Sequence, residues 1–466
     1  MSYTFNPTIL REYDIRGQID KNLSEKDAYA LGRAFGTFIK QEHADASKHT
    51  VCVGYDGRLS SPALSDRLIQ GLKECGMSVI NVGLGPTPML YFAVKHFGAE
   101  AGIMVTGSHN PPDYNGFKMT ANKSPIFGKT IQEIGKISAE GNLAEGEGSV
   151  VEKDIKDVYV DRLIQDLELT REMTIAWDAG NGAAGEILQM LVKKIPGEHH
   201  LLFEDIDGTF PNHHPDPTVD ENLVDLQALV AEKSCDLGIA FDGDGDRIGV
   251  VDENGDVLRC DILMTIYARE VIKNNPDAHI IGDVKCSQVM FDEIRNMGGT
   301  PVMWKTGHSL VKDKMRELNS PLAGELSGHI FFADKYYGFD DALYCSVRLL
   351  NELSKATGGL SSLTAHLPKL FNTPELRIEV SEEEKFALVP RVLESLKILA
   401  GNDNTIELDD IDGVRVKTPD GWWLLRPSNT QDVLVARMES HSEEGLARLK
   451  NMASDEVKKL GYSFSF

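Results

Sequence analysis

The chain has 466 residues, 41% of them apolar and 26% charged, a balance that supports several globular cores of ordinary domain size. Its 72 acidic and 48 basic side chains leave a net charge of −24, which repels nucleic acid and anionic lipid and makes any local gathering of cations informative. The six cysteines stand far apart with no CxxC pair, and no apolar run is long enough for a bilayer. This argues against a metal knuckle, a disulfide framework or a membrane span, and for buried thiols in the cytoplasm.

From Met1 to Gly17 the chain carries Arg and Asp and no apolar stretch, so no signal peptide is expected. Ser24 can cap a helix whose apolar face is Ala28, Leu31, Phe35 and Phe38. Val51 to Val53 reads as a buried strand, Leu64 to Cys75 as a helix, Val79 to Val82 as a strand, Met89 to Phe97 as a helix and Ala101 to Val105 as a strand. Helices alternating with strands predict an α/β layer architecture. The theme restarts at Thr174 to Trp177, Leu237 to Phe241, Ile280 to Val284 and Val302 to Trp304, each an apolar strand entering a small polar loop. The last hundred residues differ: Val414 to Val416, Trp423 to Leu425 and Val433 to Arg437 read as strands before a charged helix from about Glu443, a smaller α+β unit. Composition shifts at Gly141 to Gly148, at the turn Asn254-Gly255-Asp256 and at Thr373-Pro374 before the acidic stretch Glu382 to Glu384 divide the chain. The expected units are 1–153, 154–256, 257–368 and 369–466, each break placed to within several residues.

Ligands in open α/β sheets sit beyond the carboxyl ends of strands, so loops after strands are where chemistry is sought. The sharpest is Asp242-Gly-Asp-Gly-Asp-Arg247, with carboxylates at alternate positions and glycines between them. Such a loop can aim three hard oxygens at one cation and suits Mg²⁺. An EF-hand fits less well, because Arg247 stands where its loop needs Gly and the flanks read as strands. Next comes Thr106-Gly-Ser-His-Asn-Pro111, where Gly107 allows a turn that lifts Ser108 from the sheet end. A serine hydroxyl is a poor nucleophile alone, but a cation and basic groups such as Lys118 can stabilise charge passing through a phosphoryl group.

Together these loops resemble the α-D-phosphohexomutase family, most closely its phosphomannomutase/phosphoglucomutase branch. Thr106-Gly-Ser-His-Asn-Pro-Pro-Asp-Tyr-Asn-Gly-Phe-Lys118 is similar to that family's phosphoserine loop, and Asp242 to Arg247 to its metal loop. The motif order, from Arg11-Glu-Tyr-Asp-Ile-Arg-Gly17 to Arg426-Pro-Ser-Asn-Thr430, extends the likeness over nearly the whole chain. The resemblance implies a four-domain α/β fold, three similar mixed-sheet domains and a smaller C-terminal α+β domain around a central cleft. It implies phosphate carried on Ser108, with one Mg²⁺ held by Asp242, Asp244, Asp246 and an oxygen at Ser108. It implies interconversion of mannose or glucose 1- and 6-phosphates through a hexose 1,6-bisphosphate. The partner implied is a small phosphosugar, not nucleic acid or membrane, bound by a monomer.

By the same resemblance, Ser108, His109, Lys118, Arg247 and His329 carry the chemistry, with His329 and Lys118 as general acid/base and Arg247 and Lys118 stabilising transition-state charge. Glu325 and Ser327 of Gly324-Glu-Leu-Ser-Gly-His329 bind sugar hydroxyls, and Lys285 and His308 line the cleft. Arg426, Ser428, Asn429 and Thr430 offer a guanidinium fork, two hydroxyls and an amide to the unreactive phosphate. Tyr13 and Arg16 close the cleft over the phosphoserine. Gly85-Pro-Thr-Pro88 and Phe210-Pro-Asn-His-His-Pro-Asp-Pro217 are read as loops that shape domain contacts. One departure from the pattern is Gln431-Asp432, where the family has Thr or Glu and then Pro, so the phosphate loop gains a negative charge. Rival functions are a phosphoserine-dependent phosphatase, a metal-responsive binding protein without catalysis, and, within the family, a phosphoglucosamine mutase.

Overall fold

The computed structural model describes residues 2–45, 49–122, 124–429, 432–464 and 466. Ser24 and Asp27 form a reciprocal cap that starts the helix Glu25–Glu42, whose apolar stripe packs on the helix Ser61–Glu74 through glycines 32 and 71. The expected strands and helices of the first third all form, and Ala101–Val105 matches residue for residue.

The chain folds around four sheets. In the first, the spatial order is Ile15–Gln18, Tyr114–Ala121, Ala101–Val105, Thr50–Tyr55, Ser78–Leu84 and Ser149–Glu152, with Ser124–Pro125 beside Tyr114–Ala121. The second runs Val257–Leu258, Ile248–Asp252, Leu237–Phe241, Met173–Asp178, Gly197–Leu202. The third runs Thr300–Trp304, His279–Asp283, Leu322–Gly324, Ile330–Phe332. The fourth is antiparallel and built from Glu407–Asp409, Val414–Thr418, Gly421–Pro427 and Val433–Ser440, with Leu376–Glu379 and Phe371–Asn372 on its edge.

The first three sheets repeat one device. A strand with a parallel neighbour turns back into an antiparallel partner: Ala101–Val105 into Tyr114–Ala121, Leu237–Phe241 into Ile248–Asp252, Leu322–Gly324 into Ile330–Phe332. The three turns are the Ser108 loop, the aspartate loop and the Glu325–His329 loop. Strand Val257–Leu258 pairs back on Ile248–Asp252, so the turn at Asn254 lies within the second sheet. The helix Glu382–Asn402 begins within the acidic stretch and is capped reciprocally by Ser381 and Glu384.

Packing does not follow the sheets one to one. The first sheet and its helices enclose one core, while the second and third share another, into which Leu90, Phe92 and Val94 of Thr87–Phe97 also insert. The C-terminal sheet has its own core. It meets the third sheet through a small cluster, Val284 with Trp422 and Leu424, and through Arg415, which donates to the Val284 carbonyl at 2.6 Å. All six cysteines are buried thiols. Among the described residues no helix is long and apolar enough to cross a membrane.

Candidate active site

Ser108 sits in the left-handed region at φ +51°, unusual for a residue with a β-carbon. Its N–H donates to Thr106 Oγ1 at 2.8 Å, and its hydroxyl donates to Asp242 Oδ2 at 3.2 Å across the boundary between the first two sheets. This approach needs glycine at 243, where a β-carbon would stand 2.4 Å from the Ser108 carbonyl oxygen. Thr87 supports the aspartate loop from the first domain. Its N–H donates to the Asp244 carbonyl at 2.8 Å and its hydroxyl to Asp244 Oδ2.

Asp242, Asp244 and Asp246 are fully buried, and their oxygens lie within 4.8 Å of one another. Burial, then the charges of Asp244 and Asp246, pushes the Asp242 carboxyl well above its usual range. Asp244 Oδ1 is buried without a hydrogen-bond partner. Three crowded hard oxygens with an orphaned lone pair fit a small divalent cation. Lys118, opposite Met104 on the returning strand, reaches the same cluster. Its Nζ donates to Asp244 Oδ2 at 2.7 Å and to Asp246 Oδ2. Burial alone would lower its pKa, but the two carboxylates outweigh it and hold the ammonium well above its usual value.

His329 links the second and third sheets. Its Nε2 is 3.2 Å from Asp246 Oδ1 and 3.2 Å from Arg247 Nε, and its Nδ1 is 3.1 Å from Glu325 Oε2. Burial disfavours the imidazolium, but Asp246 and hydrogen bonds to Asp246 and Glu325 prevail and raise its pKa to about 9. His109 behaves oppositely: burial first, then Arg247, Arg16 and Lys118, pushes it well below its ordinary value, so it is neutral, 3.4 Å from Ser108 Oγ. Glu325 does more than face a ligand, since its Oε1 accepts from the Gly307 N–H at 2.6 Å while Oε2 holds His329. Ser327 Oγ lies 3.2 Å from His329 Nδ1. The His308 ring lies 5.4 Å from that of His329, with its Nδ1 3.4 Å from Asp340 Oδ2.

A second polar group lies where the third and fourth sheets meet. Buried Lys285 donates to Glu375 Oε2 at 3.1 Å, and buried Arg426 donates through Nε to Asp412 Oδ2 at 2.9 Å. Asn429 and Tyr13 meet here, and Arg16 donates to the Gly107 carbonyl at 2.8 Å. Ser428 is buried at the same strand end, whereas Thr430 and Gln431 lie outside the described residues. The Asp432 carboxylate is exposed and 3.5 Å from Lys385 Nζ, so its charge is offset locally.

Sequence reasoning missed several contributors. Thr87 was legible only as part of a turn, and Asp412, which also accepts from the Thr306 N–H at 3.0 Å, carried no local signal. Arg58, whose guanidinium binds the Ser108 loop from the loop after Thr50–Tyr55, follows a strand like Lys285 and was open to the same reading.

A serine held against a carboxylate cluster, an imidazolium beside that cluster and a second group of buried cations on the third and fourth domains define a phosphoryl-transfer enzyme of the phosphohexomutase type. Four family models cover the chain in order: the phosphoglucomutase/phosphomannomutase alpha/beta/alpha domains I, II and III at residues 7–145, 157–255 and 259–371, and the C-terminal domain at 375–456. The chain belongs to the phosphoglucomutase/phosphomannomutase family. It is 43% identical over 460 residues to a phosphomannomutase/phosphoglucomutase of Pseudomonas aeruginosa, spanning 99% of this chain and 97% of that one. It is 42% identical to a phosphoglucomutase of Neisseria gonorrhoeae, over 95% of each. A crystal structure of a phosphoglucomutase/phosphomannomutase family protein from Burkholderia thailandensis superimposes with a TM-score of 0.92 at 43% identity, over 99% of this chain and 100% of that one.

Proposed function

We propose that this hexose-phosphate mutase moves a phosphoryl group between the 1- and 6-positions of mannose or glucose phosphates by way of phosphorylated Ser108. The observation that carries the reading is the Ser108 Oγ to Asp242 Oδ2 contact of 3.2 Å, which joins the nucleophile to the acidic loop. Asp242, Asp244, Asp246 and an oxygen at Ser108 would hold one Mg²⁺, which when bound neutralises charge at the phosphoryl group.

Phosphoserine gives its phosphoryl group to the sugar's free hydroxyl: the new bond forms from that oxygen to phosphorus as the bond to Ser108 Oγ breaks. The hexose 1,6-bisphosphate so formed returns its other phosphate to Ser108. Over each transfer the attacking hydroxyl's proton ends on the departing oxygen, and His329, protonated at neutral pH, is suited to relay it, giving its proton to the departing oxygen and taking the hydroxyl's in return. Lys118 and Arg247 keep positive charge beside the transferring group, and neutral His109 adds an uncharged contact to Ser108 Oγ. Arg426, Ser428, Asn429 and Lys285 suit the unreactive phosphate, and Tyr13 and Arg16 tie that pocket to the phosphoserine loop. Glu325 and Ser327, with His308 alongside, suit the sugar hydroxyls, with Thr430 assigned to the phosphate loop by its motif alone.

The working units are taken as 1–153, 154–256, 257–368 and 369–466, a division in keeping with the four sheets except that Val257–Leu258 pairs within the second. The enzyme is read as a cytoplasmic monomer acting on a small phosphosugar. Assay with mannose, glucose and glucosamine 1-phosphates, each with a trace of the bisphosphate, tests the reading. Mannose or glucose 6-phosphate should accumulate, whereas free phosphate without isomerisation would support a phosphatase instead.

A further inference from the structure

In each of the first three sheets the parallel neighbour of the strand that turns back leads to an aspartate whose Oδ1 accepts the N–H two residues on. Asp56 receives Arg58 at 3.1 Å, Asp178 receives Gly180 at 2.8 Å and Asp283 receives Lys285 at 3.1 Å. The residue two beyond the aspartate thus occupies one position in three sheets. In the third it is Lys285, whose buried ammonium donates to Glu375. In the first it is Arg58, which is 1% exposed and whose guanidinium turns instead into the phosphoserine loop.

One guanidinium there gathers most of the loop's inward carbonyls. Nη2 donates to Ser108 O at 2.7 Å and to Asn110 O at 2.6 Å, and Nη1 to Pro111 O at 2.5 Å and Tyr114 O at 3.0 Å. Nε donates to Asp56 Oδ2 at 3.2 Å, and that oxygen also accepts the Gly107 N–H at 3.0 Å. The loop lies so close that a β-carbon at 107 would stand 2.3 Å from Arg58 Nε. The guanidinium carbon lies 5.2 Å from the ring centre of Phe210, on the second domain. A left-handed Ser108 costs on the order of 1 kcal/mol or more and persists only when its surroundings enforce it. A planar fork with five donors can bind several carbonyls at once, whereas a lysine ammonium, a compact point charge, cannot span them.

We propose that Arg58 is a positioning residue that locks Ser108 into its left-handed, reactive geometry and registers the loop against the aspartate-bearing domain through Phe210. This rests on the reading of Ser108 as the phosphate carrier. It requires no contact between Arg58 and substrate, so its signature is on the transfer rate rather than on binding.

The test is the rate at which glucose 1,6-bisphosphate phosphorylates Ser108 in the full chain, followed by quenched intact mass. The variants are Arg58→Lys and Phe210→Leu, each checked for fold by circular dichroism. A displacement of the nucleophile by about 1 Å costs about a hundredfold, so Arg58→Lys should slow labelling by roughly 30- to 100-fold. KM for hexose phosphate and the Mg²⁺-induced rise in Tm should stay near the parent's. Phe210→Leu, which keeps the loop's hydrogen bonds, should slow labelling by roughly three- to tenfold, an expectation scaled from the same positional sensitivity. Labelling of folded Arg58→Lys at the parent's rate, or a defect wholly in KM, would overturn the proposal. If Arg58→Lys does not fold, an unchanged rate in Phe210→Leu overturns it. A parent protein that accepts phosphate on Ser108 but interconverts no hexose phosphates would refute the mutase reading while the comparison between variants still decides this one. A parent that accepts none would refute both.

Discussion

The phenol oxygen of Tyr13 accepts a hydrogen bond from Asn429 Nδ2 at 2.5 Å, joining two residues 416 positions apart. The same hydroxyl donates to the Thr306 carbonyl at 2.7 Å, so one side chain ties the first, third and fourth domains together. Tyr13→Phe removes both bonds and keeps the ring. At about 1 kcal/mol each, their loss should lower kcat/KM by roughly five- to fiftyfold. Hydrogen exchange should quicken at the strand Gly421–Pro427. Unchanged exchange and unchanged kinetics would show that the contact holds nothing in place.

Ser108→Ala should remove at least a thousandfold of the mutase activity, since no other group can carry the phosphate. Its unfolding curve should match the parent's, and the parent alone should show, by intact mass, a fraction one phosphate heavier. Gly243→Ala tests the same geometry from the opposite loop. Its β-carbon would press on the Ser108 carbonyl, and activity should fall about a hundredfold with Ser108 still present. An active Gly243→Ala enzyme would mean that the two loops need not meet so closely.

Lys118→Met would leave Asp244 without its buried ammonium partner and Asp246 with His329 as its remaining ion-pair partner. Removing one member of a buried pair costs about 3–5 kcal/mol, so the metal-free variant should melt well below the parent. Saturating Mg²⁺ should then raise Tm more in the variant than in the parent, because bound cation and ammonium relieve the same repulsion. Calorimetry with and without Mg²⁺ decides, and equal shifts in both proteins would count against a shared role.

The Lys285 ammonium beside Glu375 holds that carboxyl down to about 2 from an ordinary 4.5. A carboxyl with a depressed folded pKa stabilises the fold above its unfolded value, and this is lost as pH falls through the folded one. The contribution should therefore be complete above about pH 4.5 and vanish by about pH 2. Glu375→Gln should be less stable than the parent by on the order of 2 kcal/mol at neutral pH, with the two curves converging across that window. Urea titrations at several pH values measure this, and a gap that persists to pH 2 would assign it to lost packing.

Much of this architecture was legible because local rules and global fold agree. Ser24 announced a helix, the apolar run at Ala101 announced a strand, and glycines interleaved with Asp242, Asp244 and Asp246 announced a turn rich in oxygen ligands. Arg58 and Thr87 were harder to see. A buried arginine is distinguished from a surface one by its partners, here backbone carbonyls that have no side-chain signature, and Thr87 sits in a motif whose prolines suggested shape alone. The paired strand Tyr114–Ala121 was likewise hidden, since its polar residues Asn115 and Lys118 face buried partners rather than solvent.

By itself the sequence determined the chemical groups and the order in which they occur, because residue type and spacing fix what a loop can ligate and where a strand must end. Only the tertiary structure decided which of those groups meet. Ser108 reaches Asp242, His329 reaches Asp246 and Tyr13 reaches Asn429 because loops of separate sheets meet, and no periodicity along a chain encodes a contact between its distant ends. The same packing sets the charge states, raising His329 and depressing His109, since burial and neighbouring charge act through space and not through sequence.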